Sequence, residues 1–159
     1  MALDYIIAIA TANTPAMTAE LVDTIGVNKN IFPNSDVDRL LGSGVKSSQG
    51  MHVSVKQHTS PAWGDLIEEE FGFLPTVTVY FRLDKTSSLT RQGDDIASLA
   101  AEILRQESGD FILYFMESGD VWAFRRGGDL TISESDYIWT DTRLPTLPTP
   151  YTRKNLTFE

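Results

Sequence analysis

The stretch Glu68 to Lys85 constrains this chain more than any other. From Thr76 to Leu83 it alternates without a break. Val77, Val79, Phe81 and Leu83 fall on one face, and Thr76, Thr78, Tyr80 and Arg82 on the other. A period of two suits a strand with one face buried and no helix. Pro75 stands at the start of the run, where a strand tolerates a missing N–H. Gly72, between Phe71 and Phe73, marks a turn that sends both rings into the core. The stretch is expected as a central strand, flanked by the two most amphipathic helical segments.

The other elements follow from the same periodicities. Asp4 to Ala12 reads as a strand with Tyr5, Ile7 and Ile9 opposite Ile6, Ala8 and Ala10. Apolar on both faces, it belongs inside the sheet. Thr14 and Pro15 start a helix as cap and first residue. Met17, Leu21, Val22 and Ile25 make its buried stripe, and Gly26 its stop. Val27 to Gly50 is irregular, with one short helical turn expected at Asp36 to Leu41, capped by Ser35 and ended by Gly42. A connection this long is a candidate functional loop. Met51 to Gln57 alternates again, with a polar face suited to a sheet edge. After the His58 to Pro61 loop, Trp63 to Phe73 reads as a short helix or turn with Trp63, Leu66, Ile67 and Phe71 turned inward.

Beyond Leu83, Asp94 and Asp95 suit a helix N-terminus. Ile96, Leu99, Ala100, Ile103 and Leu104 continue the strongest helical spacing in the chain, up to Ser108-Gly109. Phe111 to Met116, a turn at Ser118-Gly119, Val121 to Arg125, a turn at Gly127-Gly128-Asp129 and Leu130 to Ser133 form an antiparallel meander. Tyr137 to Trp139 adds a last short strand or a plug, and Leu144 to Pro150 is extended and polyproline-like on the surface. The order is strand-helix-strand twice, then further strands. That predicts an α+β fold: an antiparallel sheet with helices on one face, as ferredoxin-like split βαβ halves extended by a C-terminal hairpin and meander. One domain over 1–159 is expected, with the Pro-rich segment 144–159 packed on it.

Composition removes several functions. The absence of cysteine excludes disulfides, thiol catalysis and cysteine metal sites. The opening Met-Ala-Leu-Asp-Tyr has no basic region and is not expected to be a secretory signal. No apolar run approaches the ~20 residues of a membrane span. Thirteen Lys and Arg against 22 Asp and Glu give a net charge of −9. That balance disfavours nucleic acid and anionic membrane and suits a cationic partner, although most acidic chains are merely soluble.

Catalytic chemistry finds little support. His52 and His58 are the only histidines, and their spacing from Glu68 to Glu70 matches no metal-ligand pattern. No metal or cofactor is expected. No Gly-x-Ser-x-Gly elbow exists. Arg125-Arg126-Gly127-Gly128 could cradle an anion, against the plainer reading of a solvated hairpin tip. The carboxylates at Glu68 to Glu70 and at Asp94-Asp95 would need a cleft to do acid–base work; otherwise they are surface charge. Trp63, Trp122 and Trp139 could anchor a partner, with core packing expected of at least two.

The segment Glu69-Glu70-Phe71-Gly72-Phe73-x-Pro75-Thr76-Val77-x-Val79-x-Phe81-Arg82-Leu83-Asp84-Lys85 resembles one found in bacterial immunity proteins of the Sit type. These small proteins protect a cell against a swarming-inhibition toxin delivered by its kin. Met1-Ala2-Leu3-Asp4-Tyr5, Gly109-Asp110-Phe111-Ile112-Leu113 and Pro150-Tyr151-x-x-Lys154-Asn155-Leu156 add to the likeness, while the middle loop is unmatched. The resemblance implies a cytoplasmic antitoxin with a cognate toxin protein as partner and no enzymatic role. It supplies no functional residues. On physical grounds the acidic run Asp65, Glu68, Glu69 and Glu70 is the candidate partner-binding surface, able to plug a cationic groove and to associate quickly. Two other readings stand beside it. One is a small-molecule or peptide-binding module using the open sheet face or the Val27 to Gly50 loop. The other is an enzyme whose base is a carboxylate or a histidine.

Overall fold

A strand that is apolar on both faces needs cover on both, and the molecule is built around that requirement. The computed structural model describes residues 2–159; Met1, the first residue of the opening motif, lies outside them. In chain order the elements are β1 (Asp4–Ile9), α1 (Pro15–Asn28), α2 (Val37–Leu41), β2 (Val45–Lys46), β3 (His52–Gln57), α3 (Leu66–Phe71) and β4 (Val77–Arg82). Then come α4 (Leu89–Gln106), β5 (Phe111–Phe115), β6 (Asp120–Arg126), β7 (Asp129–Ile132), a 3-10 turn (Leu144–Thr146), β8 (Thr152–Arg153) and β9 (Leu156–Thr157). The fold is α+β. One open sheet runs β2-β3-β4-β1-β5-β6-β7-β8, with β9 pairing beside β6. It is mixed but mostly antiparallel: β8 runs parallel to β7 and the other pairings are antiparallel.

β1 and β4 lie together at the centre, with Tyr5 opposite Phe81 and Ile7 opposite Val79. Val77, Val79, Phe81 and Leu83 are buried in one cluster with Ile96, Leu99, Ile103 and Leu104 of α4 and Val22 and Ile25 of α1. The opposite faces of β1 and β5 present Ile6, Ala8 and Ile112 to a second cluster that includes Ile67 and Phe73. Helices on one face therefore describes α1, α2 and α4; α3 packs on the other face. No helix among the described residues is long and apolar enough to cross a membrane.

Several local expectations change. Gly26 lies inside α1, which runs on to Asn28. A side chain at Gly26 would overlap the Phe32 ring, and its carbonyl accepts from the N–H groups of Ile31 and Phe32 at 2.8 and 3.1 Å. Its smallness serves packing, not termination. Met17 points to solvent. Asp36, not Ser35, caps α2 by accepting from Arg39 N–H at 3.1 Å, because Ser35 Oγ is occupied donating to Asp23 at 2.6 Å. β2 forms within the stretch expected to be irregular and covers one end of β3. α4 starts earlier than Asp94: Ser88 Oγ caps it by accepting from Arg91 N–H, and Gln92 exchanges two hydrogen bonds with the Asp84 backbone. Trp139 is a buried plug, its indole N–H donating to Trp122 O at 2.7 Å. The run after Arg143 forms a 3-10 turn and buries Leu147 instead of lying extended on the surface.

Candidate partner interface

The geometry of α3 starts at Asp65. Oδ1 accepts from Glu68 N–H at 3.0 Å, and Oδ2 accepts from Ser60 Oγ at 2.9 Å and meets His58 Nε2 at 2.6 Å. Only 7% of Asp65 is exposed. Burial opposes its charge, but the hydrogen bonds from His58, Glu68 N–H and Ser60 outweigh burial and hold the carboxyl below its ordinary range. Asp65 is thus a buried peg that ties the 58–65 loop to the helix. It is not part of an open acidic surface. Gly72, in the left-handed conformation at φ 83°, ends the helix after six residues.

So short a helix has a narrow inward stripe. Ile67 takes the buried position, with Phe71 half-buried behind it. Leu66, about 100° round the helix from Ile67, points out and is 48% exposed. Trp63 precedes the cap and is 69% exposed, so neither side chain turns inward as the sequence suggested. The Asp65-x-x-Glu68 spacing resembles a capping box and was the available signal that Trp63 stands outside the helix. Trp122 and Trp139 are in the core.

Trp63 and Leu66 share a depression of about 430 Å³ with Tyr80 from β4 and Met116 from just beyond β5. Tyr80 and Met116 also line a second depression of about 600 Å³ over the open faces of β3 and β4. The charges of that second region are satisfied within the chain. Arg82 makes a two-pronged pair with Asp4 at 2.8 and 3.0 Å. Lys56 Nζ donates to Gly42 O at 2.9 Å, and His52 Nε2 lies 2.6 Å from Ser43 O. Glu68 and Glu69 are exposed on α3, whereas Glu70 is half-buried and accepts from Glu159 N–H at 2.6 Å. The acidic run is thus divided: two carboxylates face solvent, one holds the C-terminal segment and one is the buried peg.

The other candidate groups are occupied. Arg125 donates to the carbonyls of Leu104, Glu107 and Gly109 and closes the C-terminal end of α4. Asp110 fills the turn that could have cradled an anion, accepting from Arg126 at 2.7 Å and Gly127 N–H at 2.9 Å. Asp94 pairs with Arg143 at 2.7 Å. Asp95 is half-buried beside Asp94, and burial, then the Asp94 charge, raise its pKa to about 6. Among the described residues no group of three or more His, Asp or Glu side chains is disposed to hold a metal.

A family model described as SitI3-like matches residues 3–143 of the 159. No curated protein and no solved structure matches the chain.

Proposed function

The chain belongs to the SitI3-like family, and from that membership we propose that it is an immunity protein that neutralises a cognate toxin by covering its surface. The observation that carries this reading beyond the family is the gathering of Trp63, Leu66, Tyr80 and Met116 around one depression. Interface centres are enriched in aromatic residues and methionine, with charge moved to the rim. Large exposed apolar groups gathered at one place are the usual mark of a docking surface. Glu68 and Glu69 stand beside this group as rim charges, and the net charge of −9 suits a cationic toxin face. Such a protein acts in the cytoplasm by occlusion, without enzymatic chemistry or cofactor. Blocking of this kind needs a surface that does not rearrange on contact. α3 meets that need by being tied at Asp65, seated through Ile67 and held through Glu70.

The test is co-purification with candidate toxin domains, any encoded beside this chain first among them, with toxin activity measured as the protein is added. A stoichiometric complex and proportional loss of activity are expected. Trp63→Ala should weaken the complex by roughly 2 kcal/mol, the scale of an aromatic hot spot. A toxin domain that never forms a complex would overturn the reading.

A further inference from the structure

Four aromatic residues, Trp63, Tyr80, Tyr114 and Phe158, line the depression beside α3, and the largely buried Asp65 is among its lining residues. The Tyr114 and Phe158 rings lie 4.6 Å apart. Burial, then the neighbouring Tyr80 and Asp65, push the Tyr114 hydroxyl up to about 12, so these three groups share one electrostatic environment. Among the described residues lining the depression there is no lysine or arginine; His58, hydrogen-bonded to Asp65, is its one basic side chain. Aromatic faces carry negative potential, and a carboxylate in their midst deepens it. The carboxylate accepts from Glu68 N–H, Ser60 and His58, three of its roughly four acceptor positions. Exposed Glu68 and Glu69 on the same helix add charge of the same sign.

We propose that this depression receives an arginine side chain of the protein partner, with its guanidinium stacked on Trp63 and drawn in by the aromatic faces and by the exposed Glu68 and Glu69 carboxylates on the same helix. An apolar occupant would leave the exposed charges of Glu68 and Glu69 without a counter-charge. A lysine ammonium is more strongly hydrated and cannot stack as a plane. At about 430 Å³ the space admits one such side chain. The identity of the protein that supplies the arginine rests on the toxin-blocking reading above; the preference of the depression for a planar cation does not.

The experiment is a nuclear magnetic resonance titration of the whole chain with N-acetyl-arginine methylamide and, separately, with its uncharged citrulline counterpart. The signals read are the Trp63 indole N–H and the Tyr80 and Tyr114 rings. The arginine probe should shift them saturably, and the citrulline probe should bind roughly tenfold more weakly. Trp63→Leu keeps an apolar side chain at an exposed position, so the melting temperature should hold while arginine affinity falls about fivefold. Equal responses to the two probes, no response, or an affinity that Trp63→Leu does not change would overturn the assignment. A toxin complex that the arginine probe fails to compete would also overturn it and leave the blocking role standing. Probe binding without any toxin complex would uphold the cation site and remove the blocking role.

Discussion

Asp95 and Asp65 respond to acid in opposite senses. Asp95 sits half-buried in the second turn of α4, and its folded pKa of about 6 lies above the ordinary 3.8. Between those values the folded chain binds a proton that the unfolded chain does not. Its penalty is therefore absent below the ordinary value, grows as pH rises to about 6, and persists above. Asp95→Asn should raise stability at pH 7 by about 1 kcal/mol, discounted from the full conversion because the group keeps some solvent. Near pH 4 it should add nothing, which thermal melts at the two pH values would reveal; equal gains at both would refute the burial argument. Asp65 is depressed instead. Its contribution is present above the ordinary carboxylate value and is lost as pH falls through the folded value. Acid thus relieves one aspartate while it weakens the tie between the 58–65 loop and α3.

β4 is the element on which the rest depends. Phe81 is fully buried between β1, β3 and the helical layer, so Phe81→Ala should cost about 3–5 kcal/mol by leaving a cavity. A melt unchanged by that substitution would contradict the packing. This strand was legible because a period of two fixes the face of every residue in it. α4 was legible through its apolar spacing, but its start was not. Ser, Asp and Thr compete as caps, and the choice fell to Ser88 where Gln92 locks onto the Asp84 backbone. Gly26 misled because smallness for the Phe32 ring and smallness for a stop look alike in sequence. β8 and β9 are two residues each, too short for any period, and are formed by tertiary pairing. At the candidate surface the charge run at Glu68 and Glu69 could be read directly. Trp63, Leu66, Tyr80 and Met116 could not, since two separate elements and two connecting segments bring them together. The His58–Asp65 contact spans a loop and leaves no periodic trace.

For the whole molecule, a net charge of −9 acts on the rate of encounter before it acts on affinity. Glu68→Lys with Glu69→Lys should leave the melting temperature unchanged, because both side chains are exposed. Association with the toxin domain should slow about tenfold at low salt, with dissociation little affected. The difference should shrink as salt rises, since screening acts over ~10 Å at 0.1 M. On-rates indifferent to both changes would remove steering from the mechanism and leave the blocking role intact. Glu70 is excluded from this test because it holds Glu159. The two faces of the sheet carry unlike burdens: one is sealed under α1, α2 and α4, and the other bears the short helix and the loop before it, with outward Trp63, Leu66, Glu68 and Glu69. Substitutions at those four sites remove little buried surface and should each stay within about 0.5 kcal/mol of the parent stability. On the proposed reading, the docking badge can therefore be rewritten one residue at a time on an unchanged chassis, without ever passing through a chain that fails to fold.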